Sequence, residues 1–513
     1  MTKSKRTIFI VLAMLLAVVL AFTGCQPSKP SGDTGTVDPT PAPTTEATEE
    51  PPTEVVKEPE TIIWYCGGGE QTGSQPVFEK LNALLLEKYN IQLDFRTFDF
   101  GIYDEKMNMI ISSGEDYDLC FTTQAWINKY PVQVGKSAFL ALDDYLPNYP
   151  ALKQALPEFL FEQARIDGKI YAVPNYQITY SQWGYLFRKD LIDESGFDFA
   201  SVKNYWDAEP FWQFVKDNHP ELYPTNAIYT QFQNVRNVLI PVDADAYFHR
   251  DDPTYKLSFY WDKEESMAAE FGAYYSGLQN RLMWEKGFLR PDIATVQDET
   301  ADDAAGKFAS IAGVIKPGGE AERKKKSANY DWVQVGVQDP FTTSVASRSA
   351  MTAVNALSKH PEEALRMLEI MNTDPEVFNM LNFGIEGTNY TLDNGKVVLI
   401  DESGYFYNSA WAIGNQFNAL LMNNQEDGIW EATDKLNREA EITPINGFSF
   451  TNVNVTTEIA NVDAVMKEFK NWEYQDDYEE RFDQFYEKLK AAGVDTILAE
   501  IQKQLDEWVN AKK

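Results

Sequence analysis

The sequence predicts an α/β fold in two lobes. Three observations carry this. A β-α-β-α-β alternation runs between 61 and 122. The chain has 513 residues, 44% of them hydrophobic, which is more core than one lobe needs. From 459 to the end the pattern is helical.

The elements follow in order. "TIIWYC" at 61–66 is a short, nearly continuous apolar run, as a buried parallel strand would be. Gly67-Gly68-Gly69 breaks it. Ser74 is placed to cap a helix whose Val77, Leu81, Leu84 and Leu85 stand at helical spacing. Tyr89-Asn90 ends that helix, and "IQLDF" at 91–95 alternates as a strand. Met107, Ile110 and Ile111 mark a helix from Tyr103 to Ser113, stopped by Gly114. "YDLCFT" at 117–122 is the third strand. Right-handed crossovers put helices on both faces of such a sheet and the first strand centrally. Ligands of open α/β sheets bind outside the carboxyl ends of the strands, which here means the loops Cys66 to Gly73 and Thr122 to Tyr130.

Further on, Asp167-Gly168 signals a hairpin turn, "IYAVP" a strand that Pro174 ends or confines to an edge, and "WGYLFRKDLI" a strand leading into a helix. From 201 to 340 the pattern is helical with loops. Residues 358–390 read as two helices and a loop, with Pro361 in a first turn and Ala364, Leu365, Leu368 and Met371 as the apolar face. Asn394-Gly395 centres a hairpin. Ile497, Leu498, Ile501, Leu505 and Trp508 form one stripe, read as a docking face for the rest of the fold.

Composition narrows the function. Asp and Glu number 78 against 45 Lys and Arg, a formal charge of −33, so nucleic acid and anionic membrane surfaces are repelled. With three cysteines there is no disulfide framework. His219, His249 and His360 belong to no zinc spacing, and "DADAYFHRDD" at 243–252 lacks the Gly and terminal Glu of an EF-hand loop. No metal site and no cofactor is expected. The glycine run is neither G-x-G-x-x-G nor a Walker loop, and Glu70 follows it; a turn where backbone passes close to a neighbour is the plainer reading. Cys66 and Cys120 end strands expected to be neighbours. Two readings stay open for them: a disulfide, awkward between adjacent parallel strands, or two buried thiols.

The N-terminus has its own logic. Lys3, Lys5 and Arg6 precede an uncharged apolar run from Ile8 to Phe22, short for a spanning helix, which needs about 20 residues. This is the pattern of a secretory signal; the alternative is an uncleaved anchor. Thr23-Gly24-Cys25 resembles a bacterial lipobox, although Phe22 stands where that pattern prefers Leu. Residues 26–59 hold eight prolines and no aromatic, and read as a tether that cannot bury enough surface to order itself. The expected organisation is a signal peptide at 1–24, a lipidated Cys25 opening a tether over 25–59, and a folded body after it.

Four stretches then match a family. They are "MNMIISSGEDYDLCFTTQAW" (107–126), "DGKIYAVPNY" with "FRKDLIDESG" after it, "SKHPEEALRMLEIM…GIEGTNY", and the C-terminal "WAIGNQFN…ITPINGFSF…EIANVDAVMKEF…LKAAGVDTILAEIQKQLDEW". In that order they resemble the extracellular solute-binding lipoproteins of bacterial ABC importers, of the carbohydrate type found in Gram-positive bacteria. The resemblance implies a two-lobed, hinged periplasmic-binding-protein type II fold with extra C-terminal helices. It implies lobe 1 from 60–175 plus 340–388 and lobe 2 from 176–339 plus 389–513. Crossings are expected near Val173 to Tyr176, Gln338 to Thr343 and Gly384 to Tyr390. It implies a non-catalytic receptor that closes on an oligosaccharide and passes it to ABC permease subunits. The receptor is expected to be a monomer on the outer face of the cytoplasmic membrane, held there by lipid alone.

A sugar ring needs an aromatic plane and fixed polar partners. By the resemblance, the expected contacts are Glu70, Gln124 and Trp126 from first-lobe loops, Asn175 and Tyr176 from the crossing, and Trp411 and Asn415 from the second lobe, Trp411 because a tryptophan in the comparable late helix of maltodextrin-binding relatives stacks on sugar. Trp284 is read as core. The alternatives are a receptor for another solute, such as a peptide, and a surface glycoside hydrolase, for which two carboxylates would suffice.

Overall fold

The computed structural model describes residues 58–226, 239–243, 246–264, 272–296, 299–469 and 471–512. The signal segment, Cys25 and the tether up to 57 lie outside the described residues. So does part of the 243–252 segment.

In chain order the strands are β1 (Glu60–Gly67), β2 (Ile91–Phe98), β3 (Leu119–Thr122), β4 (Ala172–Pro174), β5 (Trp183–Arg188), β6 (Leu239–Asp243), β7 (Ala246–His249) and β8 (Ser258–Phe259). Then come β9 (Ser310–Val314), β10 (Trp332–Gly336), β11 (Phe341–Thr342), β12 (Met351–Val354), β13 (Tyr390–Asp393), β14 (Lys396–Leu399) and β15 (Glu441–Ile442).

The first lobe is a five-stranded sheet in the order β2-β1-β3-β12-β4. β1 pairs in parallel with β2 on one side and with β3 on the other. β12 runs antiparallel to both β3 and β4. β1 is therefore interior, while β3 takes the centre because β12 returns beside it. β4 ends at Pro174 on the sheet edge, where a missing N–H does no harm. Helix α1 (Ser74–Tyr89) buries Val77, Leu81 and Leu85. Ser74 is its first residue and not its cap: Gly73 holds the cap position without a side-chain bond. Helix α2 (Phe100–Ser113) starts earlier than its apolar spacing suggests, because Asp99 accepts the Gly101 N–H at 2.8 Å. Asn90 and Gly114 end the two helices in left-handed conformation.

The second lobe centres on the antiparallel sheet β10-β5-β9, covered by a cluster that includes Tyr185, Phe187, Phe211, Trp212 and Phe288. Two further clusters belong to the C-terminal helices. Ile497, Ile501 and Leu505 pack with Ile240, Phe248 and Phe341, and Phe482, Phe485 and Leu489 pack with Phe259 and Trp472. The apolar stripe of the final helix, Val494–Ala511, is thus an internal docking face.

The lobe boundary after 388 differs from the expected one. Tyr390, Val397, Tyr407, Ala412, Ile413 and Ala419 are buried in the first-lobe core. Three contacts hold the segment there. Phe406 stacks on Phe383 at 5.6 Å, and the hydroxyls of Tyr405 and Tyr407 donate to the carbonyls of Leu381 and Gly67. The chain leaves this core later, through the helix Ile429–Glu439 and β15.

Three crossing segments meet in a narrow ribbon. Ser181 and Phe341 exchange backbone hydrogen bonds at 2.8 and 3.1 Å, and β11 pairs in parallel with β15. Asn437 binds the Thr179 N–H and the Gln177 carbonyl, at 2.8 and 2.7 Å.

Candidate ligand site

The site is built where β1 and β3 end. Phe100, the first residue of α2, stacks on Trp126 with ring centroids 5.2 Å apart and planes at 23°. It also stacks on Trp411, at 5.5 Å and 19°. The two indoles are 6.3 Å apart, and Trp411 closes the group with its edge against Phe121 at 5.6 Å. Trp126 is 55% exposed, among the most exposed large aromatic side chains described. An indole left in water on a packed support is a surface awaiting an apolar face.

The chain supports these rings closely. A Cβ on Gly67 would lie 2.1 Å from the Phe100 ring, and one on Gly68 would lie 2.8 Å from the Tyr407 ring. Gly67 and Gly68 therefore serve close approach of backbone to aromatic rings, while Gly69 meets nothing within 4 Å. Trp126 rides on a short loop pinned by Thr123, whose hydroxyl accepts the N–H groups of Trp126 and Ile127 at 3.1 and 2.9 Å. Asn128, in left-handed conformation, donates from its backbone to Asp104 at 2.7 Å and from its side chain to the Phe121 carbonyl at 2.8 Å. Trp411 sits in the 3-10 turn Ala410–Ala412.

The expected contacts separate on this geometry. Trp126 and Trp411 come together, but Trp411 stands on the first lobe, contrary to its expected place on the second; the burial of 390–419 carries it there. Gln124 is half-buried behind the platform. Its backbone N–H donates to the Arg348 carbonyl at 2.8 Å and its Oε1 accepts from Arg348 Nη1 at 3.2 Å. Glu70 is exposed in the loop after β1, a loop tied by Gln71 and Gly73 to the backbone of Phe406 and Gly404. Asn175 and Tyr176 are buried, and their side chains bind the protein itself: Asn175 reaches the Ala412 carbonyl at 2.8 Å and Tyr176 the Asp434 carboxylate at 2.5 Å. Asn415 caps the 3-10 turn Gln416–Asn418 by accepting the Phe417 N–H at 3.1 Å. Trp284 packs against the second-lobe core and donates to the Pro291 carbonyl at 3.2 Å.

Phe100 is the ring that sequence reasoning missed. It stands three and seven residues before Tyr103 and Met107, so the apolar face of α2 already extended to it. Asp99 before it was the signal for an earlier helix start.

Burial sets the electrostatics beneath the platform. Cys66 and Cys120 are free, buried thiols, and burial pushes each up to about 12. The Tyr407 hydroxyl, which donates to the Gly67 carbonyl, is held well above its ordinary value by burial and lies 3.1 Å from Cys66 Sγ. Arg348 is fully buried, with desolvation lowering it to about 10. Its guanidinium is satisfied by the carbonyls of Gln163 and Arg165 and by Gln124. Among the described residues no group of three or more His, Cys, Asp or Glu is placed to hold a metal ion. No described helix is long and apolar enough to cross a membrane. What the platform offers chemically is an exposed indole backed by a phenyl ring and a second indole, a surface for binding a ring with one apolar face.

Known proteins agree with this architecture. Residues 444–510 match a family model described as a domain of unknown function, DUF3502. A protein of Streptococcus pneumoniae serotype 4 named carbohydrate ABC transporter substrate-binding protein is 27% identical over 469 residues, which is 88% of this chain and 91% of the relative. The crystal structure of the N-glycan transport solute binding protein (NgtS) of Streptococcus pneumoniae is 25% identical, with a TM-score of 0.73, covering 88% of this chain and 100% of that one. The same protein in complex with Man5GlcNAc is 26% identical, with a TM-score of 0.60, covering 88% and 99%. These relatives are named as transport binding proteins and not as enzymes. By sequence and fold together, the chain is similar to solute-binding proteins of the carbohydrate ABC-importer type.

Proposed function

We propose that this chain is a non-catalytic receptor that captures an oligosaccharide between its lobes and delivers it to an ABC permease. The observation that carries this is the exposed Trp126, stacked with the partly buried Phe100 and Trp411 at the carboxyl ends of β1 and β3. A pyranose presents axial C–H groups on one face, and an aromatic plane is the surface that binds them. The relative NgtS has been solved with Man1GlcNAc and with Man5GlcNAc. Mannose-capped N-acetylglucosamine is accordingly the substrate class favoured for this chain. The TM-score falls from 0.73 to 0.63 and 0.60 in the two glycan complexes. That difference supports a body whose lobes rearrange on capture, and a ligand shifts such an equilibrium only through contacts unequal in the two states.

The rest of the chain supports delivery at a membrane. Residues 1–24 are removed, Cys25 takes the lipid, and the proline-rich segment to 59 acts as a spacer that lets a monomeric receptor reach its permease. The acidic body stays off anionic lipid headgroups, so the acyl chains alone retain it.

Titration calorimetry of the chain without residues 1–24 against mannosyl-N-acetylglucosamine should show saturable binding with the glycan recovered intact. Trp411→Ala should weaken it by ~1–3 kcal/mol. Unchanged affinity removes Trp411 from the site, cleaved glycan favours a hydrolase, and binding of peptides in place of glycans favours the other solute class. Cys25→Ala should move the protein from the membrane fraction into the medium; retention on the membrane overturns the lipid anchor.

A further inference from the structure

The two tryptophans of the platform are each held from a different crossing segment. Trp411 is held from the first. The carbonyl of Ala412, next to Trp411 in its turn, accepts Asn175 Nδ2 at 2.8 Å and faces the Cys66 thiol at 3.7 Å. Asn175 directly follows β4 and is 2% exposed. Its own aim is fixed: Thr352 Oγ1 donates to its Oδ1 at 3.1 Å, and its N–H donates to the Ala350 carbonyl at 3.0 Å. The next residue continues the clamp. The Tyr176 carbonyl accepts the Gln416 N–H at 2.8 Å, and its ring meets Phe417 edge-on at 4.7 Å. Its hydroxyl reaches Asp434, on the helix that leads into the third crossing.

Trp126 is held from the second crossing. Arg348 ends the short helical turn Ser344–Ser347, between β11 and β12, and binds Gln124 through both its carbonyl and its guanidinium. Gln124 opens the loop that carries Trp126. The same guanidinium spans to the carbonyls of Gln163 and Arg165, so this loop cannot shift without moving a buried fork.

We propose that Asn175 and Arg348 are positioning residues that tie the spacing of the platform tryptophans to the two crossings, so that hinge movement and ring stacking are mechanically coupled. This rests on the carbohydrate-receptor reading for its meaning, but the coupling itself is a property of the free protein. It also reassigns Asn175: its part is to hold Trp411, and it does not touch the sugar.

Two indoles 6.3 Å apart couple as an exciton pair, which circular dichroism reads directly. Trp126→Phe identifies the couplet by abolishing it. Asn175→Leu, near-isosteric but without the amide, should diminish the couplet with no ligand present. It should also weaken mannosyl-N-acetylglucosamine binding about tenfold, the loss expected for one displaced contact. In a Trp411→Ala background the same substitution should cost less than about twofold, because a residue that acts only through Trp411 has nothing left to act on. Arg348→Lys keeps the charge and loses the fork, and should alter the couplet as well. Should Asn175→Leu fail to fold, Thr352→Val, which removes the donor that aims Asn175, should shrink the couplet in its place. An unchanged couplet overturns the proposal, as do additive losses of affinity, which would make Asn175 a direct sugar contact. If this glycan does not bind the unmodified protein, the failure falls on the ligand assignment and the couplet alone decides the coupling.

Discussion

The first lobe gathers strands β1, β2, β3, β4 and β12 and the 390–419 segment around one continuous cluster of buried side chains. The second lobe divides its buried residues among the β10-β5-β9 sheet, the packing of Val494–Ala511, and the packing around Trp472 and Phe482. One continuous core transmits displacement from any point to any other, because packed interiors yield little. Several small cores can open separately. The platform rings stand on the undivided side, where neighbouring side chains can hold their spacing to a few tenths of an ångström.

The largest effect that sharpens this contrast is expected at Trp64, fully buried in the first core. Trp64→Ala should cost ~3–5 kcal/mol. Hydrogen exchange should rise across the whole first lobe, 390–419 included. Ile501→Ala, equally buried in the final helix, should cost about 2–3 kcal/mol, at the low end for such truncations. Its added exchange should stay within 444–512 and its immediate neighbours. Uniform exchange in the Ile501 variant would show that the second lobe is one cooperative unit after all.

Two strand glycines make a smaller comparison. A Cβ on Gly67 meets the Phe100 ring at 2.1 Å, whereas one on Gly313 in β9 meets nothing within 4 Å. Gly67→Ala should destabilise by ~1–3 kcal/mol, as overpacking does. It should also lower glycan affinity by displacing Phe100. Gly313→Ala should change melting by less than about 0.5 kcal/mol. Equal effects would mean that Phe100 moves freely.

The smallest effect is in acid. Burial raises Glu299, Glu320 and Glu473, all outside the first-lobe core, above the ordinary value of 4.5. An acid raised in the folded state penalises folding while ionised. The penalty is full at neutral pH and is relieved as pH falls through the folded value towards 4.5. Asp374 of the first lobe is the opposite case. Burial pushes it up, but hydrogen bonds from Lys88 and Tyr89 outweigh this and hold it below 3.8, so its contribution is lost only below that pH. As pH falls from neutral towards 4.5, protection against exchange, taken relative to the intrinsic amide rate, should therefore rise around 299–337 and 472–489 while that around Asp374 is unmoved. Glu473→Gln should blunt the response near Trp472.

The same contrast explains what the sequence disclosed. In the first lobe β1 and β3 are apolar runs, β2 alternates, and each intervening helix buries one stripe, so β1, β2, β3 and both intervening helices were legible from period alone. β12 was not, because its place beside β3 depends on a return through the second lobe that leaves no local trace. Trp126 and Trp411 were legible as candidates through the family resemblance, which aligns them with a strand-end loop and with a sugar-stacking tryptophan. Their adjacency was not: it depends on Tyr407 reaching Gly67 across 340 residues of chain. Asn175 and Tyr176 look like ligand contacts in sequence because polar and aromatic residues at a crossing serve equally well as clamps. Only their burial distinguishes the two uses.

The thiols beneath the platform have a practical consequence. Cys66 and Cys120 are fully buried and stay protonated at any physiological pH. With Cys25 replaced, the folded body therefore offers no reactive sulfur of its own. A cysteine introduced at exposed Ser349, which accepts a hydrogen bond from Gln177 across two crossing segments at 3.1 Å, would be the single labelling point. A polarity-sensitive dye there would sit between two crossing segments, beside Gln177. On the proposed reading, the protein lends itself to conversion into an optical sensor for its glycan.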